Sequence, residues 1–259
     1  ILSGALAVQI TGLWIHKAGV PGLDWLLHFS ALAIFGTVMA SAGIAHAFNL
    51  IDGLNGLAGL TAVFGAVGLA LTARAVGDAE VFTLACLIAA GVLGFLIFNY
   101  PYGRIFFGDA GAYSVGFLLA WLAITLTARH EGVSALAMLL MVFWPLADMA
   151  LAMYRRRRRN LPVSAPDRLH FHQLVMRGLE IEVFGRRQRR FTNPLATLVM
   201  LPFVAAPVLL GVQLHDKPLL AALALVLCLG LFFATYAAGM RYATRRTRPV
   251  IERLGVPAE

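Results

Sequence analysis

Charge is what this sequence has least of. Only 13% of its 259 residues are Asp, Glu, Lys or Arg, where a soluble domain carries about 25%. So few polar groups cannot clothe a chain of this length in water. With 60% hydrophobic residues and a mean hydropathy of +0.80, lipid is the solvent that most of the surface requires. Cysteine is scarce too. Cys86 and Cys228 both lie in apolar runs without metal-ligand spacing, which excludes a disulfide framework or a thiolate metal site. No basic segment with a cleavage site, the mark of a secretory signal, precedes the first apolar stretch. The chain opens on Ile1 rather than Met and reads as a fragment lacking its natural start.

What is present is apolar sequence in long runs. Backbone groups in hydrocarbon must bond within their own segment, which selects helices, and the abundant Ala, Leu and Gly suit close helix packing. The expected fold is therefore all-α, a polytopic transmembrane bundle. At roughly 20 residues per span, eight spans are expected: Ile1–Ile15 (short), Leu26–Phe48, Leu57–Ala73, Val81–Phe98, Tyr113–Thr127, Val133–Met153, Pro194–Val212 and Pro218–Met240. Residues 1–240 then form one membrane domain with loops at 49–56, 99–112 and 154–193, and 241–259 form a basic tail. Cations orient the bundle, because Lys and Arg favour the cytoplasmic side. With the loop after the second span inside, only Lys17, Arg74, Arg129 and Lys217 lie outside; the other seventeen of the 21 Lys and Arg lie inside. The net charge of +8 belongs mainly to that inner surface, where anionic lipid headgroups attract it. Nucleic acid is not needed to explain it.

Three polar islands gather on the same side. The first is Asn49-Leu-Ile-Asp52-Gly53-Leu-Asn55-Gly56-Leu57. Its residues suit a helix end; yet Asn49 and Asp52 share a helix face, and a carboxylate next to lipid is expensive and usually functional. The second runs from Asn99 through Gly108-Asp109-Ala-Gly111. Aspartates from two such loops could serve a hard cation that takes one or two carboxylates plus substrate phosphates, or could be two unrelated caps. In the third, Arg168, His170 and His172 alternate with Leu169 and Phe171. Extended chain would point all three the same way, as a cationic rake for phosphate; a generic positive-inside loop is the plainer alternative. The run Arg155–Arg159 reads as a membrane anchor. His46, one turn before Asn49, either faces the site or packs at a helix end. His16, His28, His130 and His215 fall on or near the outer side and read as exposed bystanders.

On these islands the sequence resembles the polyprenyl-phosphate N-acetylhexosamine-1-phosphate transferase family, in the branch that makes undecaprenyl-pyrophosphate-linked N-acetylglucosamine. Asn49–Leu57 is similar to that family's Asn-x-x-Asp-Gly-x-[Asp/Asn]-Gly-Leu motif, and Phe107-Gly-Asp109-Ala-Gly111 to its Phe-Met-Gly-Asp-[Ala/Thr]-Gly-Ser motif. Trp144-Pro-Leu-Ala-Asp148, Tyr154-Arg-Arg156 and Pro166-Asp-Arg168-Leu-His170-Phe-His172 follow its late-loop order. The resemblance implies transfer of N-acetylhexosamine-1-phosphate from a UDP-sugar to undecaprenyl phosphate, with UMP released, at a cytoplasmic site in a bacterial inner membrane. It implies Mg²⁺ held by Asn49 and Asp109, Asp52 and Asp109 in the catalytic cluster, Asn55 at the uridine part, and Arg168, His170 and His172 at the nucleotide phosphates. Asp148 is either a supporting residue or the partner of an arginine.

Three departures stand out. The family's upstream Asp-Asp pair is absent, which the reading as a fragment explains and which would leave this piece alone inactive. Gln173 replaces a last histidine, and Ala112 stands where serine is usual. An inactive membrane scaffold of the same family therefore stays open. So does a transporter, although the polar residues crowd one interface instead of mid-bilayer and no inverted repeat is evident. The sequence sets neither the amino-sugar donor nor the oligomeric state, and a homodimer is allowed.

Overall fold

The computed structural model describes residues 1–160, 162, 169–184 and 188–253, with side chains up to residue 242. The described chain is helical: α1 (Leu2–Thr11), α2 (Pro21–Leu27), α3 (Ser30–Ile51), α4 (Leu57–Val76), α5 (Ala79–Asn99), α6 (Gly108–Arg129), α7 (Ala135–Met141), α8 (Phe143–Arg158), α9 (Phe171–Leu179), α10 (Arg189–Gln213) and α11 (Pro218–Arg253). A π-helical turn, Glu180–Phe184, follows α9. Helices α3, α4, α5, α6, α10 and α11 are long and apolar enough to cross a bilayer, and the molecule is a multi-pass membrane protein.

Among the described residues there are six such helices, or seven counting one bent pair, where eight spans were expected, and two stretches differ from that expectation. The first apolar stretch stops at Thr11, where Gly12 takes the left-handed conformation at φ 67° and its N–H bonds back to Val8. The helix thus ends four residues before the expected boundary at Ile15. The expected span Val133–Met153 is instead α7 and α8, bent by 84°. The break falls at Val142 (φ −123°, ψ 21°), which ends α7 and caps α8. Pro145 explains its place: starting α8 at Phe143 puts the missing proline N–H in a first turn, where donors lack intrahelical partners anyway.

Small residues set how closely the helices approach. A Cβ on Gly116 of α6 would lie 2.9 Å from the Ala45 Cα of α3, so these two helices touch backbone to backbone. That contact aligns the C-terminal end of α3 with the N-terminal end of α6. The core between α3, α4, α5, α6 and α7 is Leu, Ile, Val, Ala and Met together with Phe48. A second core around Trp144, Phe171 and Phe232 joins α8, α9 and α11. Helix α11 continues past residue 240 to Arg253. Arg155, Arg156, Arg157 and Arg158 occupy the last turn of α8, where cations complement the helix dipole.

Candidate active site

The ends of α3, α5, α8 and α11 and the starts of α4, α6, α9 and α10 lie at one end of the bundle, and the three polar islands meet there. Asn49, in the last turn of α3, donates from Nδ2 to Asp109 Oδ1 of α6 at 2.9 Å, across 60 residues of sequence. Asp109 sits in the first turn of α6, where the helix dipole favours a carboxylate. One turn along the same seam, His46 Nδ1 lies 3.1 Å from the Tyr113 hydroxyl, so His46 is an exposed neighbour of the pair and not a packed residue. Asp52 follows α3 as its C-cap. Burial pushes its carboxyl above the ordinary carboxylate range, because a half-desolvated anion is disfavoured.

The loop between α3 and α4 is pinned by amides. Asn55 N–H donates to Asn193 Oδ1 at 2.8 Å, Asn55 Nδ2 to the Pro101 carbonyl at 2.8 Å, and Thr197 Oγ1 to the Asn55 carbonyl at 2.8 Å. Gly56 N–H donates to Asn99 Oδ1 at 2.6 Å, while Asn99 Nδ2 bonds the Ile105 carbonyl. Gly56 has φ +82° and lies under the Tyr100 ring, a conformation and a closeness that favour glycine. Thus Asn55, read as a substrate contact, also ties the loop to α10. Asn99 and Asn193 do comparable work that the sequence reading missed. Each stands at a helix end in a motif-like polar stretch, which was the available signal.

The third island is arranged differently from the expected rake. His170 caps α9 and His172 lies within it, so the segment turns into a helix at Phe171 instead of running extended. Both rings are buried, His170 at 4% and His172 at 1% exposure, and they stack at 5.5 Å. The cause is Asp148 of α8, itself fully buried. Its Oδ2 lies 2.9 Å from His170 Nδ1, and its Oδ1 accepts from the Phe171 N–H at 3.0 Å. Among the described residues, Asp148 thus partners histidine and not arginine. His172 Nδ1 stops 3.6 Å from Asp148, beyond hydrogen-bond length, and neither of its ring nitrogens has a hydrogen-bond partner among the described residues. A Cβ on Gly53 would come within 2.6 Å of His172 Nε2, so the first and third islands are in direct contact. An aromatic nest holds the segment in place: Phe171 packs 5.0 Å from Trp144 and 5.4 Å from Phe232. Arg168, together with Pro166 and Asp167, lies outside the described residues.

The outer histidines also need one correction. His130, read as a bystander, has its Nε2 3.0 Å from Asp78 Oδ2 at the opposite end of the bundle. Ala112, which stands where the resemblance puts serine, is buried. As to a metal, no group of three His, Cys, Asp or Glu side chains that could hold one occurs among the described residues. Asn49 and Asp109 nevertheless supply an amide and a carboxylate oxygen side by side, a donor set that fits a hard cation completing its shell with phosphate and water.

Residues 1–127 match the model of glycosyl transferase family 4. A Bacillus subtilis (strain 168) protein named "Probable undecaprenyl-phosphate N-acetylglucosaminyl 1-phosphate transferase" is 32% identical over 178 residues, covering 68% of this chain and 49% of that protein. Proteins named "Undecaprenyl-phosphate alpha-N-acetylglucosaminyl 1-phosphate transferase" from Escherichia coli (strain K12) and Salmonella typhi are 31% and 35% identical, over 68% and 65% of this chain and 49% and 47% of theirs. The chain therefore spans about half the length of these relatives. It belongs to glycosyl transferase family 4.

Proposed function

We propose that the full-length protein transfers N-acetylhexosamine-1-phosphate from a UDP-sugar to undecaprenyl phosphate, releasing UMP at the cytoplasmic face of a bacterial inner membrane. The observation that carries this reading is the Asn49–Asp109 contact, which joins two motif-bearing loops across 60 residues. The names of the similar proteins support the lipid and the sugar.

Phosphoryl transfer needs positioning and charge neutralisation more than covalent help from the protein. An oxygen of the lipid phosphate attacks the sugar-linked phosphorus, the bond from that phosphorus to the bridging oxygen breaks, and UMP leaves with the electron pair. Asn49 and Asp109 would hold Mg²⁺. Bound there, it would offset the pyrophosphate charge and act as Lewis acid on a phosphoryl oxygen. Asp52, whose carboxyl binds protons more readily than usual, is suited to accept the residual proton of the attacking phosphate. Asn55 positions the uridine part. His170, anchored through Asp148, and His172, stacked on it, would bind the donor phosphates, a role that Arg168 would share.

The test is UMP release from UDP-N-acetylglucosamine by the full-length protein in membranes containing undecaprenyl phosphate, with Mg²⁺ or EDTA. Asp109→Ala should reduce release by about three orders of magnitude, as when charge stabilisation of a transition state is removed, while the protein stays monodisperse. Release at the wild-type rate, or release that is indifferent to EDTA, overturns the assignment of Asn49 and Asp109.

A further inference from the structure

Beside the motif loops lies a cleft of about 650 Å³ whose lining includes none of Asn49, Asp52, Asp109, His170 or His172. It is bordered by Asn55, Tyr102, Arg104, Arg189, Arg190 and Asn193 together with Pro101. Three guanidinium groups thus converge on one concavity, from two segments about 85 residues apart. Like charges brought together repel, and nothing in membrane orientation asks arginines of separate loops to share a hollow. Among the described residues, only one of the three meets a carboxylate: Arg189 Nε lies 3.0 Å from Glu180 Oε1.

The other two are held by an aromatic ring. The guanidinium carbons of Arg104 and Arg190 lie 5.8 and 5.6 Å from the Tyr102 ring centroid. Cation–π contact fixes a guanidinium plane without consuming its N–H donors, so both forks remain able to bond an anion. The hydrogen-bonded loop around Asn55 and Asn193 keeps the floor in place.

From this arrangement we propose that the cleft is a phosphate-binding site in which Arg104 and Arg190, held against Tyr102, grip a phosphate group carried by a nucleotide or by an anionic lipid headgroup. Planar, bidentate donors select phosphate over other anions of like charge. The inference touches the transfer reading through Asn55 but does not need it, since the arginines recognise the phosphate whatever carries it.

The experiment uses full-length protein in phosphatidylcholine nanodiscs with EDTA present, so that no metal contributes. In one arm UMP is titrated calorimetrically; in the other, phosphatidylglycerol replaces part of the lipid and the rise in Tm is read. Arg104→Gln and Arg190→Gln, singly and together, are compared with wild type after a check that each is monodisperse. In one arm each single substitution should weaken the effect about tenfold, and added salt should weaken it further. Loss of UMP affinity identifies a nucleotide phosphate, and loss of the phosphatidylglycerol effect a lipid headgroup. Arg190→Lys should recover only part of either effect. Wild type that responds to neither ligand, or variants that match wild type in both arms, overturns the proposal. Glu80→Gln, in the first turn of α5 at the opposite end of the bundle, should leave both arms unchanged, and because both arms read binding without turnover, failure here is separable from failure of the transferase assignment.

Discussion

The two ends of the bundle each bury an aspartate against histidine, and they treat it in opposite ways. At the far end Asp78, 8% exposed, is saturated with partners. It caps α5 through the Val81 N–H at 3.0 Å, bonds His130, and lies 3.6 Å from Arg129, which reaches on to Glu80 at 2.8 Å. At the site end Asp148 holds His170 and the Phe171 N–H but leaves the adjacent His172 ring buried with no hydrogen-bond partner among the described residues. A saturated cluster is what stability alone produces. A buried ring without partners is a standing penalty of about 1–3 kcal/mol, and such penalties persist where a ligand or a reaction supplies the missing partner.

The largest break in that comparison is expected from Asp148→Ala. It leaves His170 and the Phe171 N–H without their acceptor in a fully buried setting, which costs about 3–5 kcal/mol, and it should detach α9 from α8. Thermal unfolding in detergent, followed by tryptophan fluorescence through Trp144, reads the effect. A fall in stability no greater than that of a surface substitution would show that the aromatic nest alone holds the segment.

Gly53→Ala comes next. Its new Cβ would meet His172 Nε2 at 2.6 Å, so the ring or the loop must move, at about 1–3 kcal/mol. Because the conflict is with one side chain, His172→Ala should relieve it, and the double variant should be more stable than the sum of the singles. Strict additivity would mean that the two islands do not touch.

Asp78→Ala should cost about 1–2 kcal/mol, from one helix cap and the His130 bond. Acid sharpens the contrast. Burial alone would raise the Asp78 pKa, but the Val81 N–H, His130 and Arg129 outweigh it and hold the carboxyl below its ordinary 3.8. The unfolded chain then binds the proton more readily, so this contribution is fully present above that value and is lost as pH falls below it. Asp52 has the opposite sign: its raised pKa means the folded state binds the proton more readily, and a penalty present at neutral pH fades as pH falls toward 3.8. In Tm measured from neutral pH to about pH 3 with EDTA, Asp78→Asn should flatten the acid loss, and Asp52→Asn should raise Tm at neutral pH. A neutral-pH loss from Asp52→Asn would reverse the sign assigned to its burial.

The site end was easier to read in the sequence than its supports. Asn49, Asp52 and Asp109 announce themselves because a carboxylate or amide amid apolar sequence is conspicuous, and the distribution of cations alone brought the three islands to one side. The histidine segment was read as extended because alternation suits a strand; Phe171 is instead the buried anchor of a short helix, and that depends on Trp144, Phe232 and the break at Val142. Asp148 hid its role for the same reason, since the 84° bend sets which way α8 faces. Two errors had local signals. Gly12 marks a helix end, and Pro145 in a first turn marks a helix start, so both the end of α1 at Thr11 and the broken span were legible. Arg104, Arg189 and Arg190 were not, because a cation that fits the orientation rule carries no hint of the hollow it lines.

The smallest effect belongs to the rim of the far cluster. Arg129 and Glu80 form the shortest ion pair there, yet their side chains are 36% and 65% exposed. Water and salt screen such a pair, and fixing two flexible side chains offsets much of the attraction, so Glu80→Gln should change stability by less than about 0.5 kcal/mol. It should also leave the acid behaviour due to Asp78 intact, because Arg129 keeps its own approach to that carboxylate. A loss as large as that of Asp78→Ala would mean that Glu80 fixes Arg129 over Asp78, and that the far end is held by a cooperative network instead of by one buried carboxylate.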